Sequence, residues 1–453
     1  MTTPSPDILL NLQGQKNLLR STLTDRIIGC LIGSALGDAI GLYTEFFTAP
    51  QAKENYPSAK FTLHPVPAPY YPDRHRCVHE HGEWTDDTDH ALLLLLSFLN
   101  SGKIPTQQDL AKRLRVWVEN GLLALYTPPL GLGALVGAVV RSEGFLDDPA
   151  AVARREWEKS GQQAAPNGAV MRTHPLGLMM IGEEENEAFE VGSEIARTTH
   201  ADLRCVISCV IVSGLVRGCV RGEVVTEEDV DELIKRAKGW FEARVESGTD
   251  WDELNRHVNP RDGLDGLKLD EGGKIGYTYK ALGCGVVCLR MAIKRLEAAN
   301  GRVVVEREKI FEDLITDLTM RAGDADTNAC VAGAILGAFL GYGALPGHWK
   351  YGLKHGDWLM KKSEDFCKVL GVMDGEYTPG EDPDTAVDAQ KPPLTKDETE
   401  MRYMKLAGDA QTRITKLKAA REEAAEKKSK KGHFVSEMLQ SVGLKSKKAE
   451  GGA

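Results

Sequence analysis

Apolar residues recur at helical spacing from about residue 23 to residue 372, and few segments alternate between apolar and polar positions. Apolar positions three and four residues apart are typical of amphipathic helices, whereas strands alternate with a period of two. The pattern therefore predicts an all-α body. The longest apolar run, residues 329–345, is marginal in length for a membrane span, contains several glycines and begins shortly after Asp324 and Asp326. We interpret it as a buried helix.

Two stretches of this body carry a glycine at every fourth position. The seven glycines are Gly29, Gly33, Gly37 and Gly41 in the first stretch and Gly333, Gly337 and Gly341 in the second. A glycine inside a helix costs about 1 kcal/mol relative to alanine. The matched repeats therefore predict two helices whose backbones approach closely. The alternative is that some of these glycines lie in loops.

Breaks in the helical pattern divide the chain into four segments. We predict an N-terminal arm at residues 1–20, a body at 21–372, an acidic, proline-containing linker at 373–400 and a charged helical or disordered tail at 401–453. Two irregular insertions interrupt the body: residues 61–83 are rich in proline and histidine, and residues 255–276 are polar and rich in glycine.

Composition narrows the class of protein. Apolar side chains make up 42% of the 453 residues, which is enough for a sizeable core. The net charge is -10, and residues 394–453 carry 14 Lys+Arg against 9 Asp+Glu, or +5, so the remainder carries -15. An acidic body argues against broad nucleic-acid binding. Binding of an anionic partner, such as nucleic acid, stays an alternative for the basic tail only.

Cysteine usage and the N-terminus indicate the compartment. The nine cysteines form no disulfide-like framework, which is typical of core thiols in a reducing compartment. The first twenty residues lack the basic-then-apolar order of a signal peptide. We therefore expect an intracellular protein, cytoplasmic or nuclear, with no membrane partner. The sequence leaves the oligomeric state open, and we favour a monomer.

The chemistry concentrates in two acidic clusters. Residues 85–89 read TDDTD and residues 324–328 read DADTN, and each cluster directly precedes an apolar helical run. Helix capping explains one acid in each cluster. Adjacent carboxylates and a threonine hydroxyl are hard oxygen ligands, and like charges this close repel unless a cation intervenes. The two clusters predict a site for magnesium or manganese held from opposite sides; the alternative is two ordinary helix caps.

A third acidic position follows the first glycine repeat. Asp38 and Glu45 lie seven residues apart, so they share a face if the helix continues. Glu45 lies among Tyr43, Phe46 and Phe47, where desolvation would suit its carboxyl to proton transfer. The alternative is an ordinary exposed glutamate at a helix end.

These motifs, taken in order, resemble a known family. GSALGDAIG, EWTDDTDHALLL, APNGAVMR, RTTHAD and AGDADTNACVAGAILGA are similar to motifs of the ADP-ribosylglycohydrolases, the dinitrogenase-reductase-activating glycohydrolase family. The resemblance covers about residues 23–349. It implies a compact orthogonal all-α bundle around two magnesium ions, with residues 21–372 as the catalytic domain and a C-terminal tail helix outside it.

The resemblance also assigns site residues by motif position. The metal ligands that it implies are Thr85, Asp86, Asp87, Asp324, Asp326 and Thr327. The catalytic acids that it implies are Glu45, Asp87 and Asp326. The substrate contacts that it implies are Gly131, Gly133, Asn167, Gly168, Met171, His200, Gly276 and Tyr277. Backbone amides of the NGAVMR segment would face the pyrophosphate, and Tyr277 would stack on adenine.

The expected function is that of a magnesium-dependent enzyme that hydrolyses the bond at C1″ of ADP-ribose, with an ADP-ribosylated protein as the expected partner. Two alternatives remain open: a hydrolase of a small ADP-ribose ester or nucleotide-sugar phosphate, and a non-catalytic ADP-ribose-binding or structural protein. The histidines of residues 64–90 lack the spacing of a zinc site. The insertions at 61–83 and 255–276 depart from the family pattern, so the linkage that is cleaved stays open.

Overall fold

The structure is a computed structural model that describes residues 12–244, 248–299 and 303–441; at 12–13, 303–306 and 428–441 it describes the backbone alone. Within these ranges the chain forms eighteen α-helices and no strand beyond two isolated bridges. The predicted all-α class is therefore confirmed. The predicted end of the tail, residues 442–453, lies outside the described residues.

The helices range from four to 46 residues. In chain order they are α1 (Leu12–Gly41), α2 (Ala49–Asn55), α3 (Arg74–Cys77), α4 (Asp86–Ser101), α5 (Gln107–Asn120), α6 (Ala134–Arg141), α7 (Pro149–Lys159), α8 (His174–Met179), α9 (Glu185–Ala196), α10 (Leu203–Arg221), α11 (Glu227–Glu242), α12 (Trp251–Val258), α13 (Thr278–Ala298), α14 (Val303–Met320), α15 (Ala325–Leu340), α16 (Gly347–Lys350), α17 (Gly356–Val369) and α18 (Lys396–Ser441). Short 3₁₀ turns occupy Val170–Arg172, Gly263–Leu267, Tyr342–Ala344 and Pro383–Thr385.

Helices α1 and α15 pack antiparallel through their glycines. A Cβ added at Gly33 would lie 2.6 Å from the carbonyl oxygen of Gly333, and one added at Gly333 would lie 2.1 Å from that of Gly33. One turn away, a Cβ added at Gly29 would lie 2.5 Å from the carbonyl oxygen of Gly337, and one added at Gly337 would lie 1.9 Å from that of Gly29. No side chain fits between these backbones, so the predicted close approach is confirmed.

The same register brings the end of α1 to the start of α15. A Cβ at Gly41 would lie 2.3 Å from the carbonyl oxygen of Ala325. Gly341 lies in a loop and not in a helix, which is the alternative that the sequence left open for some of these glycines. Helix α15 ends at Leu340, and Gly341 has a φ of 90°, where L side chains are strained. The glycine repeat therefore places the residues around Asp38 and Glu45 beside the second acidic cluster.

Helix α10 lies in the core beside α8, α9 and α11. An 18-residue window of this 19-residue helix has a mean hydropathy of 1.9, so by length and composition alone it would pass as a membrane span, and 89% of that window is buried within the fold. Helix α15 holds most of the apolar run that we interpreted as a buried helix, and each of its residues is buried. Both helices supply apolar surface that the surrounding helices cover.

The chain divides into two compact units. The first comprises residues up to Ala68 together with His81–Thr395, and the second comprises Pro69–Glu80 with the chain from Lys396 onward. Within the second unit, Cys77 packs against Ala410 and Ile414 of α18. The Nε of Arg413 donates to the carbonyl oxygen of Cys77 at 2.9 Å. The tail helix thus has its own partner, a segment from the proline-rich insertion.

The structure describes parts of the expected arm and linker. Helix α1 begins at Leu12 inside the expected arm, and residues 1–11 lie outside the described part of the chain. The expected linker up to Thr395 belongs to the first unit. Asp384 accepts from Trp358 Nε1 at 2.8 Å and lies 3.2 Å from the buried Lys362 ammonium, which also pairs with Asp382. A buried ammonium requires a counter-charge, which explains the acidic composition of this segment.

Candidate functional site

The two acidic clusters meet at one cleft of about 230 Å³ in the first unit. The N-termini of α4 and α15 both open onto it, and Glu45 reaches it from the turn that follows α1. The predicted site residues that line the cleft are Glu45, Asp86, Asp87, Gly131, Gly133, Asn167, Gly168, Met171, His200, Gly276, Asp324, Asp326 and Thr327. Residues that are 240 positions apart in sequence therefore share one cavity.

Close contacts join the clusters. The hydroxyl of Thr85 lies 3.3 Å from Asp87 Oδ2 and 3.3 Å from Asp326 Oδ2, so it bridges the two carboxylates. Thr85 itself is not among the residues that line the cleft. Carboxylate oxygens of Glu45, Asp324 and Asp326 lie within 4.8 Å of one another. Glu45 is only 5% exposed, which rules out the alternative of an exposed glutamate at a helix end. Helix α1 ends at Gly41, so Glu45 reaches the cleft from a turn.

Burial and mutual repulsion make the carboxyl groups of Asp86, Asp87 and Asp326 costly to ionise. The pKa values of Asp86, Asp87 and Asp326 are all raised well above the ordinary value, first by burial and then by neighbouring carboxylates. Among the described residues, Asp87 Oδ1 and Asp326 Oδ1 are buried with no hydrogen-bond partner. Converging hard oxygens that lack protein partners fit a divalent cation.

Asp38 is the site residue that the sequence did not assign. It is fully buried in α1; its Oδ1 accepts from the backbone N–H of Thr85 at 2.9 Å, and its Oδ2 accepts from the N–H and hydroxyl of Thr88 at 3.0 and 2.6 Å. Asp38 thus caps α4 from another helix, while Thr85 makes no side-chain cap bond and faces the carboxylates. Burial raises the pKa of Asp38 to about 6, against the lowering effect of these hydrogen bonds.

The third acid of the first cluster faces away from the cleft. Asp89 accepts from the indole nitrogens of Trp84 and Trp117, each at 2.8 Å, and is buried. Burial raises the pKa of Asp89 to about 7 despite these two hydrogen bonds. Its partners are structural, so only Asp86 and Asp87 of this cluster face the cavity.

Glycines make room for the acids. Gly131 has a φ of 85°, and a Cβ there would lie 2.3 Å from Asp86 Oδ1. A Cβ at Gly276 would lie 3.2 Å from Asp324 Oδ2, and this same oxygen accepts from Asn167 Nδ2 at 2.6 Å. The glycine loops therefore hold the acids in place as well as forming the cleft wall.

Two expected substrate contacts are otherwise engaged. Tyr277 is outside the cleft lining; its hydroxyl donates to Glu253 Oε1 at 2.9 Å, and its ring lies 5.6 Å from the Arg204 guanidinium. This placement does not support adenine stacking, because the hydroxyl holds the ring against α12. The Met171 N–H donates to the carbonyl oxygen of Asn167 at 3.1 Å, so this amide serves the loop and does not face a pyrophosphate.

Phe46 is a cleft residue that the sequence did not single out. It is 57% exposed and has a φ of 61°, an uncommon conformation for a bulky residue. Its N–H donates to the carbonyl oxygen of Gly323, and the Gly323 N–H donates to the carbonyl oxygen of Phe47 at 3.0 Å. These two bonds hold the strained turn beside Glu45 and place an aromatic ring on the cleft.

Similarity to known proteins assigns the chain to a family. The chain matches the family model described as ADP-ribosylglycohydrolase over residues 19–377. It is 25% identical over 338 residues to an uncharacterized protein of Archaeoglobus fulgidus, and the match covers 74% of this chain and 94% of that relative. A solved structure described as an ADP-ribosylglycohydrolase-related protein complex is 22% identical with a TM-score of 0.46, covering 77% of this chain and 99% of that one. Because the family model spans well over half of the chain, the protein belongs to the ADP-ribosylglycohydrolase family.

Proposed function

We propose that this protein hydrolyses the bond at C1″ of ADP-ribose in a reaction that depends on magnesium, releasing ADP-ribose from a modified protein. Family membership supports a glycohydrolase-type activity. The observation that carries the finer proposal is the convergence of two acidic helix N-termini on one cleft, with buried carboxylate oxygens that have no partner in the described chain.

The residues that would hold two divalent ions are those of the joined clusters. They are Thr85, Asp86, Asp87, Asp324, Asp326 and Thr327, with Glu45 in the same group of oxygens. When bound, magnesium would supply Lewis-acid chemistry at a water molecule and at ribose hydroxyls, and manganese would serve similarly. The chain itself contributes a rigid, buried set of oxygens whose mutual repulsion a cation relieves.

An acidic residue of the chain would carry out the proton transfer. Hydrolysis adds the hydroxyl of water to C1″ and a proton to the leaving acceptor, through a transition state with oxocarbenium character. Glu45 is the acid that we assign to this transfer, since its carboxylate lines the cleft from a turn and not from a helix N-terminus. Asp87 and Asp326 remain the alternative acids. The negative charge of the cleft favours the positive charge that develops on the ribose.

The size of the cleft limits what it encloses. Small-molecule sites usually measure about 300–1,000 Å³, and this cleft measures about 230 Å³. We therefore place the distal ribose and part of the pyrophosphate inside, against the carboxylates and the loop at Asn167. The rest of the nucleotide and the acceptor would extend past Phe46 at the exposed edge.

A panel of ADP-ribosylated substrates tests the proposal. Purified protein is incubated with arginine-linked, serine-linked and ester-linked ADP-ribose and with small ADP-ribose esters, with magnesium or with excess chelator, and released ADP-ribose is quantified. We expect at least one protein linkage to be cleaved with magnesium, and the cleavage to be lost with chelator and in Asp326→Ala. The matched control is Asp313→Ala, which removes a half-exposed acid of α14.

Three outcomes would contradict the proposal. Cleavage that persists in chelator would remove the metal dependence. Cleavage of small esters alone would favour a small-molecule hydrolase. Binding of ADP-ribose without turnover of any substrate, in magnesium and in manganese, would favour a non-catalytic ADP-ribose-binding protein.

A further inference from the structure

A short chain of hydrogen bonds lies behind the cleft wall. Arg172 Nη2 donates to the hydroxyl oxygen of Thr199 at 2.6 Å, and that oxygen lies 2.8 Å from Nδ1 of His200. Arg172 is 1% exposed, and Thr199 and His200 are fully buried. His200 lines the cleft, so the chain runs from the interior to the cavity.

Arg172 is an unusual residue to bury. Within the described residues it forms no ion pair, and its Nη1 has no hydrogen-bond partner. Burial lowers the pKa of Arg172 to about 10, which leaves the guanidinium charged at neutral pH. A buried, unpaired charge is costly. Packing alone therefore does not explain why Arg172 is buried with its guanidinium hydrogen-bonded to Thr199.

The donors and acceptors of this chain fix the tautomer of His200. A guanidinium only donates, so the Thr199 oxygen accepts from Arg172 and its own proton is left to donate. The acceptor within reach is Nδ1 of His200. If Nδ1 carried a proton, the Thr199 hydroxyl would have no acceptor among the described residues. Nδ1 therefore accepts, and the ring proton sits on Nε2.

His200 lines the cleft, and its Nε2 is the ring nitrogen that Thr199 leaves free. Among the described residues this nitrogen is buried without a hydrogen-bond partner. A Cβ added at Gly168, which lines the cleft, would lie 3.4 Å from Nε2 and 3.3 Å from Cε1, so a residue without a side chain packs against this edge of the ring. Burial, reinforced by the charge of Arg172, lowers the pKa of His200 to about 3, so the ring is neutral. His200 thus supplies a neutral N–H donor at the cleft wall that has no acceptor among the described residues.

We propose that Arg172 and Thr199 are positioning residues that hold His200 as an Nε2–H donor to an acceptor oxygen of the ligand, a hydroxyl or phosphate oxygen. The choice of ADP-ribose as that ligand rests on the proposed function; the tautomer does not. A neutral donor suits an acidic cleft, because it recognises a ligand oxygen without forming an ion pair with the carboxylates.

Two measurements on the full chain test this proposal. The first is nitrogen NMR of histidine-labelled protein, in which the ring nitrogen bearing the proton is read directly and the His200 signals are those lost in His200→Gln. We expect the proton on Nε2 in the wild type. We expect that preference to be lost in Thr199→Val, which removes the hydroxyl at nearly constant shape, and kept in the matched control Thr199→Ser.

The second measurement is calorimetric binding of ADP-ribose. One uncharged hydrogen bond corresponds to about a fivefold to tenfold change in affinity. We expect Thr199→Val and Arg172→Met to weaken binding by about that factor, and Thr199→Ser to stay within about twofold. In turnover assays the same variants should raise KM and leave kcat nearly unchanged, because the contact is made to bound substrate.

The outcomes separate this proposal from the proposed function. A wild-type proton on Nδ1 overturns the positioning role, and so does unchanged ADP-ribose affinity in Thr199→Val. If Thr199→Val does not fold, the wild-type tautomer alone decides. If no ADP-ribosylated substrate is hydrolysed while the tautomer and binding effects are as expected, the hydrolase proposal fails and the positioning role stands.

Discussion

Replacing Gly333 by alanine tests the helix contact on which the site depends. A Cβ at this position would lie 2.1 Å from the carbonyl oxygen of Gly33, and ordinary contact begins at about 3.4 Å. The two backbones must therefore separate locally by about 1.3 Å, the difference of these distances. The obstacle is backbone, so no side-chain rotation relieves it.

The two contributions to stability have opposite signs. Alanine improves helix propensity by about 1 kcal/mol over glycine, whereas overpacking a tight contact costs about 1–3 kcal/mol. We place the cost at the upper end because both helices are buried, so Gly333→Ala should lower the free energy of unfolding by about 2 kcal/mol. The same substitution at Gly239 in α11, where nothing lies within 4 Å, should stabilise by up to about 1 kcal/mol.

Urea unfolding followed by circular dichroism measures both variants. With a slope of about 1–3 kcal/mol per M, a loss of 2 kcal/mol moves the midpoint down by about 1 M. Magnesium affinity should fall too, because oxygens of Glu45, Asp324 and Asp326 lie within 4.8 Å of one another only while α1 and α15 stay close. A Gly333→Ala protein as stable as Gly239→Ala would refute the reasoning.

Three further predictions concern the site itself. Gly131→Ala puts a Cβ 2.3 Å from Asp86 Oδ1 at a φ of 85°, so magnesium titration should show affinity at least about tenfold weaker; wild-type affinity would contradict this. Asp38→Asn replaces one acceptor of the Thr85 and Thr88 protons by a donor and should lower the free energy of unfolding by about 2 kcal/mol in urea, whereas a change under about 0.5 would count against the cap. Asp86, Asp87 and Asp326 have raised pKa values in the fold, so metal-free stability falls as pH rises above about 4, and the thermal stabilisation by magnesium should be larger at pH 8 than at pH 5; the reverse order would contradict this reading of the three carboxylates.

The close contact between α1 and α15 and the two acidic clusters of the site could be predicted from the sequence. Glycine at every fourth position predicts a backbone contact because only close approach justifies the lost helix propensity. The contact of Gly33 with Gly333 confirms it. The two acidic clusters could be identified because each precedes an apolar helix, and in the structure Asp87 and Asp326 line one cavity.

Other contacts between distant segments could not be predicted from the sequence. Asp38 bonds to Thr85, 47 residues away, and nothing local distinguishes that pairing from an ordinary buried acid. The pairing of Cys77 with α18 involves common apolar residues whose partners only the fold selects. The family resemblance implied that Tyr277 stacks on adenine, but a hydrogen bond to Glu253 of α12 holds its hydroxyl.

Counting bound ions tests the central claim most directly. Manganese binding to the purified full chain, measured by equilibrium titration, should saturate at two ions per chain. Asp87→Asn and Asp326→Asn should each reduce the number or weaken the affinity by more than about tenfold, since each removes a buried carboxylate that faces the cleft. A wild-type chain that binds no ion saturably, or an Asp326→Asn chain that binds two ions with unchanged affinity, would contradict the account.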